Sequence, residues 1–109
     1  MVNELNFSDA VSRSKKIREL YHKLELQYHG SEWTIEEDAL AFLTDAGLVG
    51  RLTMSQQGRS PKGDDTETEL SLKIGESIWW LIILADRMGI DPTASIEGFL
   101  AKTEKILNK

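Results

Sequence analysis

The chain has 109 residues, enough for one core and too few for two. Its 40% hydrophobic and 28% charged content is that of a folded globular protein rather than a disordered one, and a net charge of −5 argues against non-specific nucleic-acid binding, which depends on Lys and Arg neutralising phosphates. There is no cysteine, which excludes disulfides, thiolate chemistry and sulfur-ligated zinc or iron, and which fits a cytoplasmic location.

From Met1 to Phe7 no basic segment leads into an apolar stretch, so no signal peptide is expected. The first helix is predicted from Ser8 to Tyr28. Val11, Ile17, Leu20, Tyr21, Leu24 and Tyr28 recur at helical spacings and form one apolar face, and Gly30 is a stop signal. His22 and His29 share a face of that helix, but with no third histidine and no cysteine they do not make a metal site.

The second helix opens with Thr34 and, three residues later, Glu37, the pattern of a capping box. Glu36, Glu37 and Asp38 then occupy its first turn, where the helix dipole favours negative charge. Trp33, just before the cap, reads as a hydrophobic staple. The apolar stripe runs through Leu40, Leu43, Ala46 or Gly47, Gly50 and Met54. Gly47 and Gly50, three apart on one face, predict close approach by another helix or a ligand.

Residues 55–65, Ser-Gln-Gln-Gly-Arg-Ser-Pro-Lys-Gly-Asp-Asp, are punctuated by Gly58, Pro61 and Gly63 and predict a mobile loop whose cations are Arg59 and Lys62. Thr66 and Glu69 repeat the capping pattern and start a third helix that runs to about Met88, with Gly89 as its left-handed cap. Its apolar run from Ile78 to Ala85 is far shorter than the roughly 20 residues a membrane span needs. That run predicts a helix buried on most sides, difficult in so small a domain without a partner subunit. Asp91 and Pro92 then open a fourth helix as N-cap and first-turn proline, with Ile96, Phe99, Leu100, Thr103, Ile106 and Leu107 on its apolar face. No strand pattern is present. The expected fold is an all-α antiparallel four-helix bundle in a single domain, 1–109, assembled as a homodimer or higher homo-oligomer.

Two helical stretches carry a resemblance to a known family. One is Ala41-Phe42-Leu43-Thr44-Asp45-Ala46-Gly47-Leu48-Val49-Gly50-Arg51-Leu52. The other is Leu72-Lys73-Ile74-Gly75-Glu76-Ser77-Ile78-Trp79-Trp80-Leu81, continuing through Leu84-Ala85-Asp86-Arg87-Met88-Gly89-Ile90-Asp91-Pro92. Over roughly Trp33 to Leu107 the chain resembles the MazG-like, all-α nucleoside triphosphate pyrophosphohydrolases. The resemblance implies a Glu-x-x-Glu motif on one helix facing a Glu-x-x-Asp motif on another, whose four carboxylates hold magnesium. The bound metal neutralises the triphosphate and activates water, releasing a nucleoside monophosphate and pyrophosphate from an NTP or dNTP.

In this chain Asp45 takes the first Glu position, Leu48 stands where the second Glu belongs, Lys73 replaces the third carboxylate, and Glu76 takes the Asp position. Asp45 and Glu76 are thus the metal-ligand candidates, with Lys73, Trp80, Arg59 and Lys62 as candidates for substrate contact. Two carboxylates and one ammonium leave a net charge of −1 where the family has −4. Three arrangements follow: a two-metal site, one weakly held magnesium on Asp45 and Glu76, or a salt-bridged cluster in which Lys73 replaces the cation. The implied activity, hydrolysis of an acid anhydride, is accordingly weak or lost. The alternative is a non-catalytic family member acting as a nucleotide-binding or protein-interaction module. Asp38 and Glu69, each seven residues before a motif carboxylate, read as helix-start and solvent charges.

Overall fold

A computed structural model describes residues 4–61, 63 and 65–108. Among them the secondary structure is entirely helical: α1 Phe7–His29, α2 Ile35–Gln56, α3 Thr66–Arg87 and α4 Pro92–Leu107. None of these helices is long and apolar enough to cross a membrane. The chain divides into two compact units, residues 33–81 and residues 1–32 with 82–109. α3 therefore begins in one unit and ends in the other.

Local chemistry sets most of the helix ends. The Asn6 side chain accepts from the Asp9 N–H at 2.8 Å and starts α1 one residue before its expected position. Gly30 closes it in the left-handed region, φ 76°, with its N–H on the Leu26 carbonyl. At the start of α2 both halves of the capping box are made: Glu37 N–H to Thr34 Oγ1 at 3.1 Å, and Thr34 N–H to Glu37 Oε1 at 2.8 Å. Asp91 caps α4 by accepting from the Thr93 and Ala94 N–H groups, with Pro92 in the first turn.

Two local expectations need correction. Helix α2 does not give way to a loop at Ser55. It continues through Gln56, because the buried Ser55 hydroxyl bonds to the Arg51 carbonyl (3.4 Å) and also meets Ser60 Oγ (2.8 Å) and the Pro61 carbonyl (3.1 Å), drawing the connection back onto the helix end. Thr66, in turn, does not form a capping box with Glu69. Its hydroxyl is engaged with the N–H and carbonyl of Gly63, while the Glu69 N–H bonds to the Asp65 carbonyl. Because the carbonyl of the capping residue accepts the first intrahelical bond, this moves the start of the turn back by one residue.

Burial runs against the hydrophobic stripes. The buried apolar side chains among the described residues are Trp80, Ile82, Ile83 and Leu84, all on α3. The chain itself covers the centre of the apolar run that seemed to need a partner subunit, while Ile78 and Leu81 stay about half exposed. On α1 the buried residues are Ser14 and Arg18, the latter paired with Glu25 at 2.8 Å, and the Ile17, Leu20, Tyr21, Leu24 and Tyr28 face is exposed. On α2 the buried residues are Asp38, Asp45 and Ser55, while Leu40, Leu43 and Met54 are exposed. In the unit that joins α1 to α4, the apolar face of α4 is also open, at Ile96, Phe99, Leu100, Ile106 and Leu107.

The reciprocal cap of α2 satisfies two backbone donors at once, so Thr34→Ala should lower stability by about 1 kcal/mol. Urea unfolding followed by circular dichroism checks this. A Ser at the same position keeps the hydroxyl acceptor and should recover most of that loss.

Candidate functional site

The polar cluster expected from the two motif stretches forms within the unit spanning residues 33–81. Asp45 lies in the middle of α2, and Lys73, Glu76 and Trp80 lie on α3 at spacings of three and four, so the three share one side of that helix. The Lys73 ammonium donates to Asp45 Oδ1 at 3.2 Å and to Glu76 Oε1 at 2.9 Å. The second Asp45 oxygen, Oδ2, accepts from the Trp80 indole N–H at 2.9 Å. Both carboxylate oxygens of Asp45 are therefore engaged by donors.

Burial is graded across the cluster. The side chain of Asp45 is 11% exposed, that of Lys73 31% and that of Glu76 42%. Asp45 and Trp80 form the dry end, and Glu76 opens to water. Burial is the largest influence on Asp45 and acts to raise its pKa. Hydrogen bonding within the cluster and the Lys73 charge outweigh burial, and the carboxyl is held below its ordinary value of 3.8. The hydrogen bond to Glu76, followed by that to Asp45, raises the Lys73 pKa above 10.5 against partial desolvation. Both groups are thus charged throughout the neutral range.

Aromatic rings frame the dry end. Trp80 is buried, with Trp79 packed edge-on at a centroid distance of 4.6 Å and Trp33 lying parallel to it at 6.5 Å, 6° between planes. The ring of Trp33 lies along Trp80 rather than serving as the expected staple: the residue a staple would reach, four positions into α2, is Asp38.

Of the other residues singled out in the sequence, Leu48 is 40% exposed one turn beyond Asp45. Arg59 is exposed after α2, and among the described residues no hydrogen bond or ion pair joins it to the cluster. Lys62 lies outside the described residues. Glu69 is exposed, as a solvent charge should be. Asp38 is not: it sits in the first turn of α2 as expected, but is fully buried, at 0% exposure. Its seven-residue spacing from Asp45 places it on the same helix face, and that spacing was the available signal. Among the described residues no group of three or more His, Asp or Glu side chains is placed to hold a metal ion.

Removing the Asp45 carboxylate strips a buried indole N–H of its acceptor. Asp45→Ala should cost about 2 kcal/mol, against less than about 1 kcal/mol for Glu76→Ala, whose partner can be hydrated; urea unfolding midpoints distinguish the two. The pH dependence follows from the directions of the shifts. The Asp45 contribution is complete above 3.8 and is lost as pH falls through its lower folded value, while the Lys73 contribution is complete below 10.5 and is lost as pH rises through its higher folded value. The stability difference between the wild type and Asp45→Asn should therefore stay constant from about pH 5 to about pH 9 and narrow on both sides. A step in that difference near pH 7, seen in denaturant titrations across the range, would contradict the assignment.

Comparison with known proteins found no family model, no curated protein and no solved structure that matches this chain.

Proposed function

We propose that the chain is a non-catalytic helical module, related in its motif layout to the MazG-like pyrophosphohydrolases, in which a lysine has taken over the place of the metal. One observation carries this reading: the Lys73 ammonium lies between Asp45 and Glu76, and the Trp80 N–H holds the remaining oxygen of Asp45. A divalent cation bound by those carboxylates would have to displace the ammonium or approach it closely, and like charges at that range repel. Magnesium also demands near-octahedral oxygen ligation, for which two carboxylates, one of them saturated by other donors, are a poor set. The cluster thus acts as an internal tie between α2 and α3. Exposed apolar faces on α1, α2 and α4 favour a role in protein association, and the chain's first partner is another copy of itself.

The second reading, a residual pyrophosphohydrolase acting on an NTP or dNTP with one weakly held magnesium on Asp45 and Glu76, is favoured by the openness of Glu76 alone. There the nucleotide's own phosphates would supply the missing oxygens, and Lys73 would turn to phosphate.

Calorimetric titration with manganese, with and without a non-hydrolysable nucleoside triphosphate, separates the two. The wild type should give no saturable heat in either titration. Leu48→Glu combined with Lys73→Glu supplies the two absent carboxylates, and this variant should bind manganese. Saturable binding by the wild type that is lost in Asp45→Ala would overturn the non-catalytic reading. A folded double variant that binds nothing would overturn the placement of the two motifs.

A further inference from the structure

The outer face of α2 has an organisation that its exposure alone does not require. Counting about 100° per residue from Asp45, the residues on the opposite side of the helix are Glu36, Leu40, Leu43, Gly47, Gly50 and Met54, with Arg51 on the flank. All are exposed, Leu40 at 64% and Leu43 at 65%. Neither Glu36 nor Arg51 makes an ion pair among the described residues. A Cβ at Gly47 or Gly50 would meet nothing within 4 Å, so none of the described residues uses the close approach these glycines permit.

The order of these residues is self-complementary about the point between Leu43 and Thr44. A second α2 laid antiparallel across that point brings Leu40 of each copy over Gly47 of the other, a large side chain facing a gap. The same operation sets acidic Glu36 opposite basic Arg51, twice. It brings Met54 to the level of Trp33, which is 39% exposed, and leaves Leu43 beside its own copy on the axis. Size and charge thus match under a single two-fold, which is the requirement for an isologous interface, where each residue contacts its counterpart's partner reciprocally. A parallel arrangement would set Glu36 against Glu36 and Arg51 against Arg51, which repel.

We infer that the outer face of α2 is the interface of a two-fold symmetric homodimer, two copies packing antiparallel with Leu40 over Gly47 and Glu36 against Arg51. The inference rests on the proposed self-association and specifies the surface responsible; it is independent of what the Asp45 cluster binds.

Sedimentation equilibrium of the intact chain, across micromolar concentrations, tests it. The wild type should be dimeric. Gly47→Leu should yield a folded monomer, since a Cβ at this exposed position meets no atom within 4 Å and the added side chain takes the space that Leu40 of the second copy needs. Glu36→Arg and Arg51→Glu should each weaken the dimer by about tenfold, and the two combined should restore it, because the swap re-forms both pairs only in the antiparallel register. A wild type that is monomeric would overturn both self-association and this interface. A dimer unaffected by Gly47→Leu would leave self-association standing and eliminate this face. A charge swap that fails to restore the dimer would eliminate the antiparallel register.

Discussion

The contact on which the unit from Trp33 to Leu81 turns is the one between the Lys73 ammonium and Asp45. A carboxylate in the middle of α2, mostly shielded from water, is tolerable only if its charge is met, and Lys73 and the Trp80 N–H meet it from α3. Trp80 is then fixed by its nitrogen as well as by its ring, which accounts for its place as the one buried aromatic of this unit and for the packing of Trp33 and Trp79 around it. Glu76 takes up the remaining reach of the lysine at the wet edge. The tie is directional: the buried end is saturated by donors, and the exposed end is open to water.

Such a cluster contributes less to stability than to geometry. Replacing buried ionic groups with apolar ones of matching shape is often neutral or stabilising, whereas breaking one partner is costly. What Asp45 provides is register, since α3 can slide along α2 only by stripping the lysine and the indole of a common acceptor. Similar logic applies on α1, where buried Arg18 is paired with the partly buried Glu25 two helical turns away.

How much of this was legible in the sequence depends on distance along the chain. Thr34 with Glu37, Asp91 with Pro92, and the stops at Gly30 and Gly89 are decided within four residues, and each is found where the residues place it. Thr66 shows the limit even at that range, because Gly63 offers its hydroxyl a competing partner. The association of Asp45, Lys73 and Glu76 was also readable, because the family resemblance implies that the two motif stretches face one another, and opposite charges so placed have few other options. The Trp80 N–H on Asp45 was not, as nothing local distinguishes it from the neighbouring Trp79. Nor was the burial of Asp38, where an acidic residue in a first helical turn has a sufficient local explanation. The largest divergence concerns direction. Periodicity identifies an apolar stripe on each of α1, α2 and α4, but it is silent on whether a stripe is covered by the same chain, and here the polar sides of α1 and α2 carry the buried residues.

A tethered cation differs from a bound one in its thermodynamics of supply. A metal site is occupied according to the free ion concentration around it and empties on dilution or in competition with a stronger chelator. The ammonium of Lys73 arrives with the backbone of α3, at an effective concentration set by the fold and by nothing outside it. The junction between the two helices is therefore closed from the moment α3 forms beside α2, in any ionic medium in which the chain folds, and it gives up the reversible response to ion supply that a metal-bridged junction would have had.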